Sequence, residues 1–500
     1  MKTGNDGLKE GLLKNQRSQE KDLLGDTEKE LRVLNNPDDE EVDRKAQKTE
    51  EDLPSYSECA MECALNSLPV IAGLLFETLI EVINLIFIGN LNDPTLMAGL
   101  GLGTLMINVI GISISTGLCG GIDTLVSQCH GQKNYYRCGV NLNRCRVLML
   151  LVFIPQAVIF FYTDKILEAV GQDPKVSEAA LDYTKVLIPG VLVFNLFEAT
   201  RRFLNAQLVF ALPSKIQFST LVLHILWCYI FVSILELEIV GAAVASLITY
   251  TLDFVLIHVY VSCFEVVPSE SWHWFDKNSF KGLINYCKYG VPSLVIVCLE
   301  WWCIEFLSIF AGWLSETELA ANVALLNLNY IVYNLPLGMS YAICSMVGNS
   351  LGSNLPQRAL RYVKTSMIIA LVICIMTIIT FLTFKVQFST IFTTESKVVE
   401  IMLQLIPVYC LLIICDYIQG VQGGIIRGMG YQSIATVIVI ISYWLVAIPV
   451  SYIFAFILDY RIIGIWLGLP AGSLLICSSF SAIIYFTNWE KLATKIHDHP

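Results

Sequence analysis

Long apolar segments recur along the chain from about residue 66 to residue 487, and short polar connections separate them. A helix that crosses the hydrocarbon core of a bilayer needs about 20 predominantly apolar residues, and twelve segments reach that length. The predicted helices cover residues 66–90, 97–128, 144–163, 177–206, 214–234, 239–263, 286–313, 319–351, 363–384, 397–426, 433–457 and 463–487. The pattern therefore predicts an all-α polytopic membrane protein with twelve transmembrane helices.

The composition favours the same class of protein. Of the 500 residues, 55% are hydrophobic and 15% are charged, whereas an ordinary soluble protein carries about 25% charged residues. Much of the net charge of -11 lies before Ser57, in acidic runs such as Asp38–Glu41. A polar segment of mixed charge is typical of disorder, so residues 1–58 are predicted to form a disordered cytoplasmic tail. The tail lacks the basic and apolar regions of a secretory signal peptide.

Several functional classes are disfavoured by what the sequence lacks. An acidic balance without a basic stripe argues against nucleic-acid binding. The 16 cysteines are scattered, mostly through apolar runs and without a zinc-ligand spacing, so no metal or cofactor is expected. The chain has no Walker sequence for ATP, and only isolated histidines lie in apolar segments. We therefore expect a transporter driven by an ion gradient and not an enzyme.

The distribution of Lys and Arg predicts the orientation. Basic residues gather after even-numbered helices, for example Lys133 and Arg137 after the second and Arg358 and Arg361 after the eighth. Because cytoplasmic loops carry the excess of Lys and Arg, both termini are expected to face the cytoplasm. The sequence leaves open whether the membrane is the plasma membrane or a vacuolar or lysosomal one.

The two halves of the chain repeat at a nearly constant offset. Pro69 matches Pro292 at an offset of 223 residues, and Gly131 matches Gly352 at an offset of 221. Six helices per repeat keep the orientation, and parallel repeats of this kind build transporters that rock around a site near the membrane midplane. The predicted parts are an N-terminal six-helix lobe over residues 59–263, a cytoplasmic linker over 264–285, a C-terminal six-helix lobe over 286–489 and a cytoplasmic tail over 490–500.

Among the acidic residues inside these apolar segments, five are candidates for chemistry: Glu77, Glu81, Glu300, Glu305 and Asp416. A charge at bilayer depth costs ~2.5–3.5 kcal/mol on insertion scales, which makes a functional role the first hypothesis. Glu300 lies 223 residues after Glu77, at the equivalent position of the repeat. Two close carboxylates in a medium of low dielectric constant do not both ionise at low cost, so the pKa of at least one of them is expected to rise. A carboxyl group with a raised pKa can bind and release a proton reversibly. These five residues are the predicted proton or cation sites. The alternative is that the acids are neutral or paired and hold helices together.

Polar and aromatic residues near these acids are candidates for a substrate cavity. Aromatic faces beside carboxylates suit an organic cation, whereas helix bridging and ordinary packing are the alternatives. For His224, a helix contact is favoured over a proton relay. The predicted cavity residues are Asn84, Trp301, Trp302, Asn327, Tyr330 and Tyr333.

Three segments together resemble a known family. The sequences Glu300-Trp301-Trp302, Asp123–Gln128 and Ile426–Gly430 look like signatures of eukaryotic MATE (multidrug and toxic compound extrusion) transporters. The resemblance covers roughly residues 60–489. It implies a MATE/MOP-type fold of two lobes around a V-shaped cavity, and the export of organic cations or metabolites in exchange for protons.

The resemblance also assigns roles to individual positions. The acids of the family fall on Glu300, Glu305 and Asp416. The helix-8 acid of animal members is replaced by Asn327 here, and the helix-1 aspartate of bacterial members is replaced by Asn84. Glu77 and Glu81 are not part of the family pattern.

The leading functional hypothesis is a proton-coupled antiporter, working as a monomer in a lipid bilayer, that exports small organic cations and xenobiotics. One carboxylate would take either the proton or the cation. Export of organic anions or neutral metabolites on the same fold is the alternative that the loss of an acid at Asn327 would favour. A lipid flippase is a further alternative, which is disfavoured because Arg and Lys are expected to be scarce inside the helices.

Overall fold

The computed structural model describes residues 53–391 and 395–498. The predicted disordered tail, as far as residue 52, and the last two residues of the predicted C-terminal tail lie outside the described residues. Within the described part, twelve helices are long and apolar enough to cross a membrane. In chain order, α1 to α12 are Tyr56–Gly89, Pro94–Gly131, Tyr135–Phe161, Pro174–Ala206, Ala211–Ile234, Glu238–Cys263, Leu283–Leu314, Glu316–Gly352, Pro356–Thr383, Ser396–Met429, Gln432–Ile457 and Arg461–Phe486. The predicted all-α architecture of twelve spans is confirmed.

The helix ends differ from the prediction because polar residues extend the apolar segments. The first helix begins at Tyr56, ten residues before its predicted start. Helix α2 begins at Pro94, where the Asp93 side chain accepts hydrogen bonds from the amides of Thr95 and Leu96. An N-terminal cap and a proline in the first turn start a helix irrespective of hydropathy.

Shorter elements connect or interrupt the spans. Turns of π-helix interrupt α2 at Ile107–Ile112 and α11 at Ile440–Ala447, and others end α5 at Tyr229–Ile234 and α11 at Ile453–Ile457. Short helices cover Thr163–Ala169, Lys277–Phe280 and Lys385–Thr390, and a 3₁₀ turn covers Ser269–Ser271. The chain continues after α12 into a further helix, α13, at Trp489–Asp498.

The sequence repeat recurs in the backbone conformation. Glu236 and Glu238, in the turn between α5 and α6, have φ angles of 50°, and the residues 223 positions later, Asp459 and Arg461, have φ angles of 57° and 51°. Positive φ is uncommon for residues other than glycine. Its recurrence at the same two positions of both halves supports a parallel duplication.

The apolar cores follow the two lobes. The largest buried cluster is formed mainly by residues 303–493, and two further clusters are formed by residues 88–243 and 119–286. Each lobe therefore has its own packed interior, and the space between the lobes is available for a site.

The lobes meet at one end of the bundle, where α2 packs against α7 and α8. A side chain at Gly131 would collide with Asn349, and one at Gly352 would collide with Gln128. Across the same contact, His130 Nδ1 lies 2.5 Å from Asn349 Oδ1. We call this contact, over residues 128–132 and 349–353, the closed end.

Helix α13 covers the closed end. Its apolar face buries Trp489, Leu492 and Ala493. Gln132 Nε2 donates a hydrogen bond to the carbonyl of Ile496 at 2.5 Å. Gln132 directly follows α2 of the N-terminal lobe, and α13 also packs on α8 and α9 of the C-terminal lobe. Helix α13 therefore touches both lobes.

The segment between the lobes lies against α3. The Arg146 guanidinium lies 5.2 Å from the ring centroid of Trp272, and Asn143 donates a hydrogen bond to the carbonyl of His273. The hydrogen bond that Tyr136 donates to Asp276 lowers the pKa of that carboxyl to about 2. The predicted linker is therefore docked on the N-terminal lobe.

Candidate functional site

A cavity that is partly open to solvent lies between the lobes. Its walls come from both of them, so a rocking motion of the lobes would change its access. The lining residues are Thr116, Gly117, Gly120 and Asp123 of α2, Arg202 of α4, Ser293, Ile296, Val297, Glu300 and Trp301 of α7, Tyr333, Leu337, Ser340 and Tyr341 of α8, Gln419, Gly420, Gly423, Ile426 and Arg427 of α10, Gln432, Ala435, Val439 and Tyr443 of α11, and Ile476 and Phe480 of α12.

Glu300 reaches the cavity wall from α7 and is surrounded by neutral donors. Its Oε1 accepts hydrogen bonds from the Tyr333 hydroxyl at 3.1 Å, the Tyr443 hydroxyl at 3.2 Å and Gln419 Nε2 at 3.3 Å. Within the described residues, no Lys, Arg or His nitrogen pairs with this carboxylate. A carboxylate held by neutral donors keeps its capacity to take a proton or an external cation.

Asp416 lies one turn before Gln419 on α10 and is 8% exposed. Gln419 Nε2 lies 3.4 Å from Asp416 Oδ1, so the same amide group contacts both acids. The structure thus brings together two acids that are separated by more than 100 residues in the chain.

Gln419 and Tyr443 were not identified from the sequence. Gln419 lies three residues after Asp416, and residues at this spacing share a helix face, so it was open to detection. Tyr443 carries no such local signal, because its only link to the site is a contact with Glu300, 143 residues away.

A buried network of arginines and carboxylates lies beside these acids. Arg202 donates to Asp123 at 2.7 Å and to Glu198 at 2.6 Å. Arg201 Nη2 forms an ion pair with the other oxygen of Glu198 at 2.5 Å, and Arg201 Nη1 donates a hydrogen bond to Glu77 at 3.1 Å. Glu77 is therefore paired, which corresponds to the alternative role in which an acid holds helices together.

The two arginines of this network correct an expectation. Their position at the end of a predicted helix fitted the basic residues of a cytoplasmic loop, yet Arg201 is 6% and Arg202 is 2% exposed. Arg202 lines the cavity, so the basic side chains, although few, are not absent from the interior. Glu198, at three and four residues before them, was the available signal, because residues at this spacing pair on a helix.

A third arginine enters the cavity from the C-terminal lobe. Arg427 Nη2 donates to Ser340 Oγ at 2.7 Å, and its Nε lies 3.8 Å from Asp123 Oδ2. The ring of Tyr341 lies 3.4 Å from the Arg202 guanidinium and 5.5 Å from that of Arg427. Such cation–π contacts stabilise the two like charges near one another.

Glu81 and Glu305 are not among the residues that line this cavity. Glu81 accepts a hydrogen bond from Asn108 Nδ2 at 3.2 Å, and Glu305 accepts one from the Tyr330 hydroxyl at 3.1 Å. Both acids lie farther along their helices than Glu77 and Glu300, away from the closed end.

Of the six predicted cavity residues, Trp301 and Tyr333 line the cavity. Trp302, Asn327 and Tyr330 do not, and all three are exposed. Tyr330 lies seven residues before Leu337, about two helical turns, so it is on the face of α8 that lines the cavity but farther from the closed end.

Asn84 was also predicted to line the cavity, but it lies in a polar network inside the N-terminal lobe. Its Nδ2 donates to Ser246 Oγ at 2.8 Å, and its Oδ1 lies 3.2 Å from His224 Nε2. His224 is fully buried and also contacts the Thr249 hydroxyl. This network links α1, α5 and α6, which corresponds to the helix contact favoured for His224.

The sequence analysis missed one further buried acid. Asp253 of α6 is 3% exposed and accepts a hydrogen bond from the Thr220 hydroxyl at 2.7 Å. The criterion that identified Asp416, an acid within an apolar run, would also have identified Asp253.

Twelve spans in two duplicated lobes, with a cavity between them that contains charged and polar side chains, define a secondary active transporter. A model of the MatE family matches residues 69–230 and again residues 292–453, so both matches begin and end at the offset of 223 residues seen in the sequence. The chain belongs to the MatE family of multidrug and toxin extrusion transporters.

Named relatives agree with this membership. Multidrug and toxin extrusion protein 1 of Danio rerio is 32% identical over 424 residues, which is 85% of this chain and 71% of the relative. Protein DETOXIFICATION 17 of Arabidopsis thaliana is 30% identical over 431 residues, 86% of this chain and 90% of the relative. The crystal structure of the eukaryotic MATE transporter AtDTX14 matches with a TM-score of 0.85 and 28% identity, covering 89% of this chain and 99% of that one. The chain is thus a multi-pass membrane protein with an efflux role and not an enzyme.

Proposed function

We propose that this transporter exports organic cations in exchange for protons and that Glu300 is the group shared by the two. The observation that carries the proposal is the surroundings of Glu300, whose Oε1 accepts hydrogen bonds from three neutral donors in the cavity wall. A carboxylate with a cationic partner would already be neutralised, whereas this one has room for an exchangeable positive charge.

The exchange follows from competition for this carboxylate. A proton from the outer or luminal side binds Glu300 or Asp416, and the bound cation loses its counter-charge and leaves. The deprotonated acid then binds the next cation from the cytoplasm. Each ligand shifts the population between the two access states only through its different affinity for them, so no longer-range coupling is required.

The local balance of charge favours a cationic cargo. The neighbouring network contains three guanidinium groups and three carboxylates, from Arg201, Arg202, Arg427, Glu77, Glu198 and Asp123. The network is formally neutral, so Glu300 in the cavity wall leaves the cavity with an excess of negative charge, and Asp416 lies behind it in contact with Gln419. The faces of Trp301 and Tyr333 add aromatic walls that suit an organic cation.

Export of organic anions is the second candidate, and the observation that favours it is the presence of Arg202 and Arg427 in the cavity wall. Arg202 is compensated by two carboxylates at short distance. The cation hypothesis therefore remains the better supported of the two.

We also propose that the closed end faces the cytoplasm, because the basic connections after α2 and α8 lie there and cytoplasmic loops carry the excess of Lys and Arg. Both termini would then be cytoplasmic, and this conformation would be the one that opens to the outside or to a vacuolar or lysosomal lumen. Since the two lobes of one chain complete the cavity, a monomer is sufficient.

The test is uptake of tetraethylammonium by proteoliposomes under an imposed pH gradient. We expect Glu300→Gln to abolish the part of the uptake that depends on the gradient. Glu400→Gln is the matched control, because Glu400 is exposed at the start of α10 and away from the cavity. Gradient-driven uptake that survives Glu300→Gln at the rate of the control would overturn the proposal.

A further inference from the structure

The guanidinium of Arg427 is only partly satisfied by the protein. Its Nη2 donates to Ser340, but its Nε is buried and has no hydrogen-bond acceptor among the described residues. The nearest carboxylate oxygen is Asp123 Oδ2, at 3.8 Å, and that oxygen already accepts a hydrogen bond of 2.7 Å from Arg202. A buried donor without an acceptor is costly, and in a cavity wall it indicates a place for an external acceptor.

A second unsatisfied donor lies beside it. The Ser293 hydroxyl is buried and has no hydrogen-bond partner among the described residues. Ser293 and Arg427 both lie against Gly120, since a Cβ built on that glycine would lie 2.5 Å from Ser293 Oγ and 3.9 Å from Arg427 Cδ. A Cβ at Gly423 would likewise have the Arg427 Nη1 as its nearest atom, at 3.9 Å. Gly423 therefore leaves space beside the guanidinium, whereas the lack of a side chain at Gly120 lets Ser293 pack closely against α2.

We propose that Arg427 and Ser293 form a subsite for the carboxylate group of the cargo, and that the transporter therefore accepts zwitterions. The amine of such a ligand would bind at Glu300 and its carboxylate at Arg427. Both side chains line the same cavity. A guanidinium presents its donors in a planar fork that matches a carboxylate, and the serine hydroxyl adds a third donor. The placement of the amine at Glu300 rests on the proposed function, whereas the carboxylate subsite at Arg427 does not.

The experiment compares a zwitterionic amino carboxylic acid with its methyl ester, which differs only by lacking the negative charge. Both compete with labelled tetraethylammonium for uptake by proteoliposomes, and the readout is the ratio of the two inhibition constants within each variant. We expect Arg427→Gln to reduce the preference for the zwitterion by about tenfold, the effect of one charge-assisted hydrogen bond. Arg427→Lys, which keeps the charge but loses the fork, should lie between that variant and the wild type.

The matched control is Arg461→Gln. Arg461 pairs with Glu318 at the opposite end of α8 from the closed end and does not line the cavity, so the ratio should stay at its wild-type value. Ser293→Ala is a milder variant that keeps the experiment decisive if Arg427→Gln does not fold, and we expect it to reduce the preference two- to threefold. Size-exclusion chromatography identifies the variants that fold.

Two results would overturn the subsite. One is an unchanged ratio in folded Arg427→Gln or, if that variant does not fold, in Ser293→Ala. The other is that the wild-type protein binds the ester but does not bind the zwitterion. Failure of the proposed function is distinguishable from these results, because in that case the wild-type protein would not take up the ester in response to the proton gradient.

Discussion

Gly131 and Gly352 occupy equivalent positions at the ends of α2 and α8, and each lies against the opposite lobe at the closed end. Gly131 faces Asn349, and Gly352 faces Gln128. The two partners are separated by 221 residues, as are the two glycines. The contact is therefore self-complementary in the manner of a two-fold interface, although both halves belong to one chain. Opening this end of the cavity has to break both halves of the contact.

A larger side chain at either glycine is expected to prevent closure. In Gly352→Val, the new Cβ would collide with the backbone of Gln128, and overpacking of this kind costs about 1–3 kcal/mol. We expect faster hydrogen exchange of the amides at 128–134 and 349–355 and a loss of exchange transport. Gly89→Val is the control, because a Cβ at Gly89 has no atom within 4 Å. Equal exchange rates in the two variants would show that the closed end does not depend on this packing.

The amide of Gln419 is expected to be needed for coupling. It contacts Glu300 at 3.3 Å and Asp416 at 3.4 Å, so Gln419→Leu removes the only side chain that touches both acids among the described residues. We expect the rate of proton-driven cation uptake to fall by about tenfold, which corresponds to about 1.4 kcal/mol, the scale of a lost buried hydrogen bond.

Gln422→Leu separates coupling from folding. Gln422 lies one turn farther along α10, is buried, and donates to Ser481 rather than to either acid. If Gln422→Leu lowers the uptake as much as Gln419→Leu does, the effect comes from the packing of α10 and not from the two acids.

The sequence predicted the features of this protein that depend on local composition. All twelve spans follow from hydropathy alone, because an apolar stretch of about 20 residues has few alternatives to a membrane helix. Glu300 and Asp416 were identified for the same reason, since a charged residue in such a stretch is conspicuous. The offset of 223 residues predicted the duplication that the family match confirms.

The features that the sequence did not predict depend on which residues meet in space. Arg202 follows a pattern that also fits a cytoplasmic loop, and only the packing of α4 against α2 places it beside Asp123. Tyr443 joins the site through a contact across 143 residues. Trp302 was expected in the cavity, but its direction depends on the rotation of α7, which the composition of that helix does not define.

The buried arginine network is expected to contribute strongly to stability. Arg202→Met leaves Asp123 without its shortest cationic contact and removes one of the two arginines that pair with Glu198, and removing one partner of a buried ion pair costs about 3–5 kcal/mol. We expect a marked fall in the thermal unfolding temperature in detergent. Arg358→Met is the comparison, because the side chains of Arg358 and its partner Glu62 are 38% and 44% exposed and exposed pairs of this kind contribute about 0–1 kcal/mol. Equal effects in the two variants would contradict a stabilising role for the network.

Helix α13 is expected to stabilise the closed end by bridging the lobes. The carbonyl of Ile496 accepts a hydrogen bond from Gln132 beside the N-terminal lobe, and His497 Nδ1 lies 2.9 Å from the carbonyl of Gly352 in the C-terminal lobe. Truncation after Asn488 removes both contacts together with the buried Trp489. The population of locally opened molecules depends on such contacts, so we expect faster hydrogen exchange at residues 349–355 in the truncated protein. Lys491→Ala is the control, because Lys491 is at an exposed position of the same helix, and it should leave exchange at these residues unchanged. Exchange that is insensitive to the truncation would mean that the lobes hold this end closed without α13.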